Sequence, residues 1–212
     1  MADLDTVSLY IDDEPQFFFD NGIIESVHNL TRTLHSPEKS DANPVIQSDK
    51  PWEYVTYFTG NGYHVWGDTA TGRIHCLYTS WKFDREKRAP GLSLVNWQHS
   101  RLRQCYAYSD DGVEWIKPPM GIQKEDGHDT NIVFGTEDYG SVYSTNAVED
   151  PFEEDPEKRF KAVYTYVAPG GDSSVIKRAA HSPDGIHWTP YEKAPSFGKQ
   201  GDHLGDVFVG AL

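Results

Sequence analysis

Three observations predict an all-β chain assembled from repeated four-stranded units. A seven-residue phrase occurs twice, as "SDDGVEW" at Ser109–Trp115 and as "SPDGIHW" at Ser182–Trp188. Short alternating or apolar runs recur along the chain with turn residues between them, and no long helical pattern stands out. Composition agrees: 13% of the residues are aromatic, with 6 Trp and 12 Tyr, while 18 Gly and 13 Pro supply turns.

In chain order, the strand candidates are 8–12, 16–20, 54–60, 63–68, 73–81, 102–109, 131–135, 146–150, 159–167, 176–182 and 205–212. The stretch from Ser36 to Glu53 is rich in turn residues and reads as coil. Each copy of the repeated phrase follows a strand-like run, "QCYAY" or "KRAAH", and is followed closely by proline. Asp-Gly between such runs signals a tight hairpin, because the turn needs positive φ and Gly adopts it cheaply. Ser and Asp hold such a turn shut by bonding nearby backbone amides. A second correspondence precedes the first. "DTATGRIHCLYT" from Asp68 to Thr79 matches "DPFEEDPEKRFKAVYT" from Asp150 to Thr165, with a longer turn in the second copy. Each unit thus reads strand, Asp, turn, long strand, loop, strand, SxDGxxW turn, short strand. Such a four-stranded antiparallel unit is the blade of a β-propeller, and the period marks a repeat architecture.

The 212 residues are therefore expected to form one partial propeller domain. Residues 1–53 are a closing segment, 54–118 and 131–191 are full blades, and 200–212 begin another. Propellers have at least four blades, so the expected remainder comes from further sequence or from a second copy of the chain in a homo-oligomer.

The order of these residues resembles the five-bladed propeller glycoside hydrolases, the superfamily of invertases, arabinanases, β-xylosidases and mannoside phosphorylases. It is most similar to the glycosyl hydrolase family 32 N-terminal-like group. The matching stretches are "FFFDNGIIES" (17–26), "LHSPEKSDANPVIQSDKPWE" (34–53), "GRIHCLYTSW" (72–81), "CYAYSDDGVEWIKP" (105–118), "VEDPFEEDPEKRFKAVY" (148–164) and "AHSPDGIHW" (180–188). They span nearly the whole chain and identify the superfamily better than a substrate. The resemblance implies cleavage of a glycosidic bond by carboxylates from several blades. The superfamily uses three, and only two blade-equivalent ones are placed here. The repeated phrase also resembles the Asp-box of sialidases, with one residue fewer between Asp and Gly, but no arginine triad for an acidic sugar is recognisable.

Asp68 and Asp150 end equivalent strands, and two carboxylates converging on a channel suit glycoside cleavage. The bland alternative is that each caps its own turn. "VEDP" resembles the superfamily's "RDP" with Glu149 where Arg is usual, which makes Glu149 another catalytic candidate. Strand alternation puts Glu149 and Asp150 on opposite faces. Glu53 in "PWE", Trp66, Asp129, Asn131, Asp202 and His203 are candidates for binding sugar, set against ordinary polar loop residues and a packing Trp. No HxH or HExxH spacing indicates a metal, and no cofactor is implied.

A net charge of -14 disfavours nucleic acid, and neutral sugars that stack on Trp and Tyr are the expected partners. A non-catalytic sugar-binding propeller and an inactive truncated relic are the alternatives to an enzyme. Cys76 and Cys105 are too few for a disulfide framework and are expected as buried thiols. No apolar run reaches membrane-spanning length. The start "MADLDTVSLY" lacks the features of a signal peptide, so the chain as written is expected in the cytoplasm, with a periplasmic or secreted location if a leader has been removed.

Overall fold

The computed structural model describes residues 17, 20–22, 24–57, 63–83, 100–136, 139–169 and 175–192. The strand candidates at 8–12 and 205–212, and the further blade expected at 200–212, lie outside these. The chain divides into two compact units, Met1–Ser40 and Asp41–Leu212. The expected closing segment 1–53 is therefore split at Ser40. The described residues of the first unit are coil and almost all exposed. Local bonds shape them, such as the Gly22 amide donating to Asp20 at 2.7 Å.

The second unit is all-β, built on two larger antiparallel sheets of five and four strands and a two-stranded β5–β6 hairpin. Its strands are β1 (Val55–Tyr57), β2 (Tyr63–Gly67), β3 (Ile74–Phe83), β4 (Ser100–Ser109), β5 (Lys124–Glu125), β6 (His128–Asp129), β7 (Ile132–Phe134), β8 (Ser141–Glu149), β9 (Phe160–Val167), β10 (Val175–Ser182) and β11 (Thr189–Pro190). The described residues contain no α-helix.

In the first sheet β3 pairs with β4 along its whole length, and β1 and β2 share its other edge. On the far edge of β4 lie β7 and a single bridge from Tyr108 to Ile116. The second sheet is the simple meander β8-β9-β10-β11. Residues 131–135, grouped by sequence with the second blade, thus complete the first. The Tyr106 amide donates to the Asn131 carbonyl at 2.8 Å, which fixes that edge.

Alternation assigns the faces. Cys76, Tyr78, Cys105 and Ala107 point one way, onto Ile46, Trp52 and Ile132. Leu77 and Tyr106 point the other way, toward Val133, Ile186 and Trp188. The second sheet buries Val142, Tyr164, Tyr166 and Ala180 around Phe134, which belongs to β7 of the first. Both cysteines are free and buried, as expected. Inside each of the two larger sheets one polar pair recurs at the same register. Gln104 donates to Thr79 Oγ1 at 2.8 Å, and Lys177 donates to Thr165 Oγ1 at 2.7 Å.

The two SxDGxxW turns are the same object. Ser109 Oγ accepts from the amides of Asp111 and Gly112 at 3.2 and 2.8 Å; Ser182 Oγ accepts from Asp184 and Gly185 at 3.2 and 2.9 Å. Trp115 and Trp188 each donate from Nε1 to their glycine carbonyl at 3.1 Å, and both rings are half-buried. Gly112 and Gly185 have φ of 78° and 77°. Because both serines are fully buried and hold two amides each, Ser109→Ala and Ser182→Ala are expected to cost similar amounts, about 1–3 kcal/mol each. Urea denaturation of both variants checks this; a large cost for only one would mean the turns carry unequal loads.

Candidate functional site

The turns that follow β2 and β8 place the sequence-selected aspartates. The Asp68 amide donates to the Arg73 carbonyl at 2.8 Å, and the Asp150 amide donates to that of Arg159 at 2.7 Å, so the two positions are equivalent. Asp68 Oδ2 accepts from the Thr71 hydroxyl at 2.7 Å and Oδ1 from the Ala70 amide at 2.8 Å. Asp150 Oδ2 accepts from Lys161 Nζ at 2.5 Å and Oδ1 from the Phe152 amide at 3.1 Å. The Thr71 hydroxyl holds the Asp68 carboxyl below its ordinary range, and the Lys161 ammonium does the same for Asp150. Both carboxylates therefore brace their own turns. Both also sit at the end of the sheets that carries the SxDGxxW turns, where β3 and β9 begin and β4 and β10 end.

Asp68 and Glu149 nevertheless meet in one place. A cleft of about 320 Å³ at the seam of the two sheets is lined by Trp66, Asp68 and His75 from the first and by Glu149, Arg159 and Asp184 from the second. Asp150 is not part of its lining. Glu149 ends β8 and accepts from Arg159 Nε at 2.7 Å. The Arg159 guanidinium lies over the Phe160 ring, 5.8 Å from its centre. Asp184 belongs to the second SxDGxxW turn; Oδ1 accepts the Ile186 and His187 amides at 2.9 and 2.8 Å, and Oδ2 faces His187 Nδ1 at 2.6 Å. Burial pushes the Asp184 carboxyl up, but these amides outweigh it and leave it below its ordinary value.

Trp66 joins the two sheets. It stacks on His75, its cross-strand partner, at 5.1 Å and on His64 at 5.4 Å, and leans on Phe160 of the second sheet at 6.1 Å. His75 Nδ1 shares a 2.6 Å hydrogen bond with the Tyr106 hydroxyl. Burial lowers both imidazoles from their ordinary 6.5; for His75 the charge of Asp68 opposes this and that of Arg73 adds to it. Below pH 6.5 the unfolded chain then binds protons that the folded seam refuses, so these groups contribute stability above that pH and lose it on acidification. Thermal melting from pH 7 to 5 is expected to show falling Tm, with a shallower fall in His64→Asn. An unchanged slope in that variant would remove His64 from the pH response.

The other sequence-selected residues lie elsewhere. Glu53 and Asn131 are buried together in the core of the first sheet. Glu53 accepts from Tyr78 Oη, from Lys117 Nζ at 2.7 Å and from the Asp49 and Lys50 amides at 3.2 and 3.3 Å. Asn131 accepts from Trp52 Nε1 at 2.8 Å and donates to Tyr78 Oη at 2.7 Å. These side chains connect the 43–53 loop to the sheet. Asp129 is exposed on the β5–β6 hairpin, 3.4 Å from Lys124. Asp202 and His203 lie outside the described residues. Among the described residues no cluster of three or more potential metal ligands occurs.

Sequence reasoning missed His75, Arg159 and Asp184 as cleft residues. The signal was available: Arg159 aligns with Arg73, and Asp184 with Asp111, in the repeat. It was absorbed by the turn motif.

No protein-family model matches this chain, and no curated protein matches it in sequence. Solved structures do resemble it. A glycosyl hydrolase from Bacteroides ovatus is 18% identical with a TM-score of 0.47, over 72% of this chain and 39% of that one. A structure from the GH130 family of mannoside phosphorylases, described as containing glycoside hydrolases that target β-1,2-mannosidic linkages in Candida mannan, is 17% identical with a TM-score of 0.48, over 72% and 39%. A fructofuranosidase from Schwanniomyces occidentalis complexed with fructosylnystose is 21% identical with a TM-score of 0.40, over 71% and 27%. The chain thus spans well under half the length of the glycoside hydrolase structures it is similar to.

Proposed function

We propose that this chain is part of a carbohydrate-active propeller of glycosidase type, and that the cleft between its two sheets receives the sugar. One observation carries this reading: three residues selected from sequence alone, Trp66, Asp68 and Glu149, line the same polar cleft. A concave site with convergent polar groups and an aromatic ring is the usual form of a small-ligand site. Asp68, held ionised by Thr71 and Ala70, supplies negative charge for an oxocarbenium-like centre, and Glu149 across the cleft is the second carboxylate. Asp150, turned onto Lys161 and its own loop, positions the turn next to Glu149.

The test is turnover of a panel of aryl glycosides and β-linked oligosaccharides by the full chain, Asp68→Asn and Glu149→Gln. Cleavage lost in both variants, with unchanged melting, supports the reading. Binding of sugar without cleavage supports a second reading, a non-catalytic binding propeller. That alternative is favoured by the bonds Asp68 makes to its own turn, which leave its oxygens partly occupied. No binding and no turnover would remove both. Completion of the ring is a further part of the proposal. Tyr63 and Val65 of β2 are exposed and line an apolar groove of about 290 Å³, and Val113 and Ile116, in and after the turn that follows β4, are exposed as well. A blade from further sequence or from a second copy would cover such a face.

A further inference from the structure

Resting on the reading of the cleft as a sugar site, we infer that it selects a ligand carrying positive charge among its hydroxyls, an amino sugar in its unacetylated, protonated form, and rejects acidic sugars. Three carboxylates line the cleft, Asp68, Glu149 and Asp184, against one guanidinium, Arg159, which is tied to Glu149. The neighbouring cation on the first sheet, Arg73, is paired with Asp110 at 3.0 Å. The wall is therefore rich in acceptors. A carboxylate offers about four acceptor sites. Asp68 uses one on each oxygen for its own turn and Glu149 uses Oε1 for Arg159, so acceptor capacity remains. A ligand completes this wall by donating. An ammonium brings three donors and a charge where a hydroxyl brings one donor and an N-acetyl group one amide. A sugar carboxylate or phosphate would meet three like charges.

Calorimetric titration of the full chain separates the cases, using a glucosamine tetramer, its fully N-acetylated counterpart and a galacturonic acid tetramer at a pH where the amines are protonated. The glucosamine tetramer is expected to bind about tenfold tighter than the acetylated one, with the gap closing as salt is raised and narrowing in Glu149→Gln. Arg159→Gln, which removes the one cation in the lining, is expected to widen the gap, a change that a purely structural role for Arg159 would not produce. Equal binding of the two tetramers, or tightest binding of the galacturonate, overturns the charge preference and leaves the sugar site standing. Failure of all three tetramers and of the neutral panel above removes both.

Discussion

Lys117→Met is expected to destabilise the fold by about 3–5 kcal/mol, the cost of stranding a buried charge. Lys117 and Glu53 are 4% and 0% exposed at the side chain, and their 2.7 Å contact lies beneath the coil that leads into β1. The same ammonium donates to Asp49 at 2.7 Å and to the Gln47 carbonyl, and sits 5.3 Å from the Tyr78 ring centre. Methionine fills the volume but satisfies none of these acceptors. Asp49→Asn serves as the contrast. Asp49 is 57% exposed, and its share of the bridge is expected to be worth about 0–1 kcal/mol. Adding Glu53→Gln to Lys117→Met should recover part of the loss, because a neutral amide still accepts from Tyr78 and the loop amides. Guanidinium denaturation of the three proteins measures this. A Lys117→Met cost below that of Asp49→Asn would show that the coil is held by its apolar residues, Ile46 and Trp52, instead.

Gly185→Ala is expected to cost about 2–4 kcal/mol, while Gly112→Ala, at the same place in the other copy of the turn, costs only about 1–2 kcal/mol. Both glycines are left-handed, so both substitutions carry the same backbone penalty. A Cβ on Gly112 would meet only the Ile74 side chain, at 3.6 Å. A Cβ on Gly185 would stand 3.0 Å from Trp66 Cζ2 and 3.5 Å from Phe160, where the two sheets meet. Overpacking there adds a further 1–3 kcal/mol, roughly. The difference between the two variants in one denaturation series is the quantity to read. Equal costs would mean that Trp66 yields without loss.

What could be read from sequence follows the range of the interactions. The SxDGxxW turns were visible because Ser, Asp and Trp bond amides and carbonyls within three residues. The Asp68 and Asp150 turns were visible for the same reason, yet the fate of Asp150 depends on Lys161, eleven positions on and on the neighbouring strand. Glu53 and Asn131 were singled out as sugar ligands; the structure shows both buried, bonded to partners 64 and 79 positions away. No local pattern reports such a pairing. The placement of Ile132–Phe134 in the first sheet had the same obstacle, since a short apolar strand reads alike at the end of one blade and the start of the next. The cleft needed two turns from different sheets to be adjacent, and only the repeat alignment hinted at that.

The two sheets also hold each other's anchors. Phe134 comes from the last strand of the first sheet and packs among Val142, Tyr164 and Ala180 of the second; Trp188 comes from the last turn of the second and packs against Leu77 and Tyr106 of the first. Dissection of the chain between Thr136 and Tyr139 would therefore leave each half with an empty socket and an unburied aromatic plug. The two sheets, although repeats of one pattern, are interlocked parts rather than interchangeable modules. Transplanting one of them into another ring would require carrying the neighbour's plug with it.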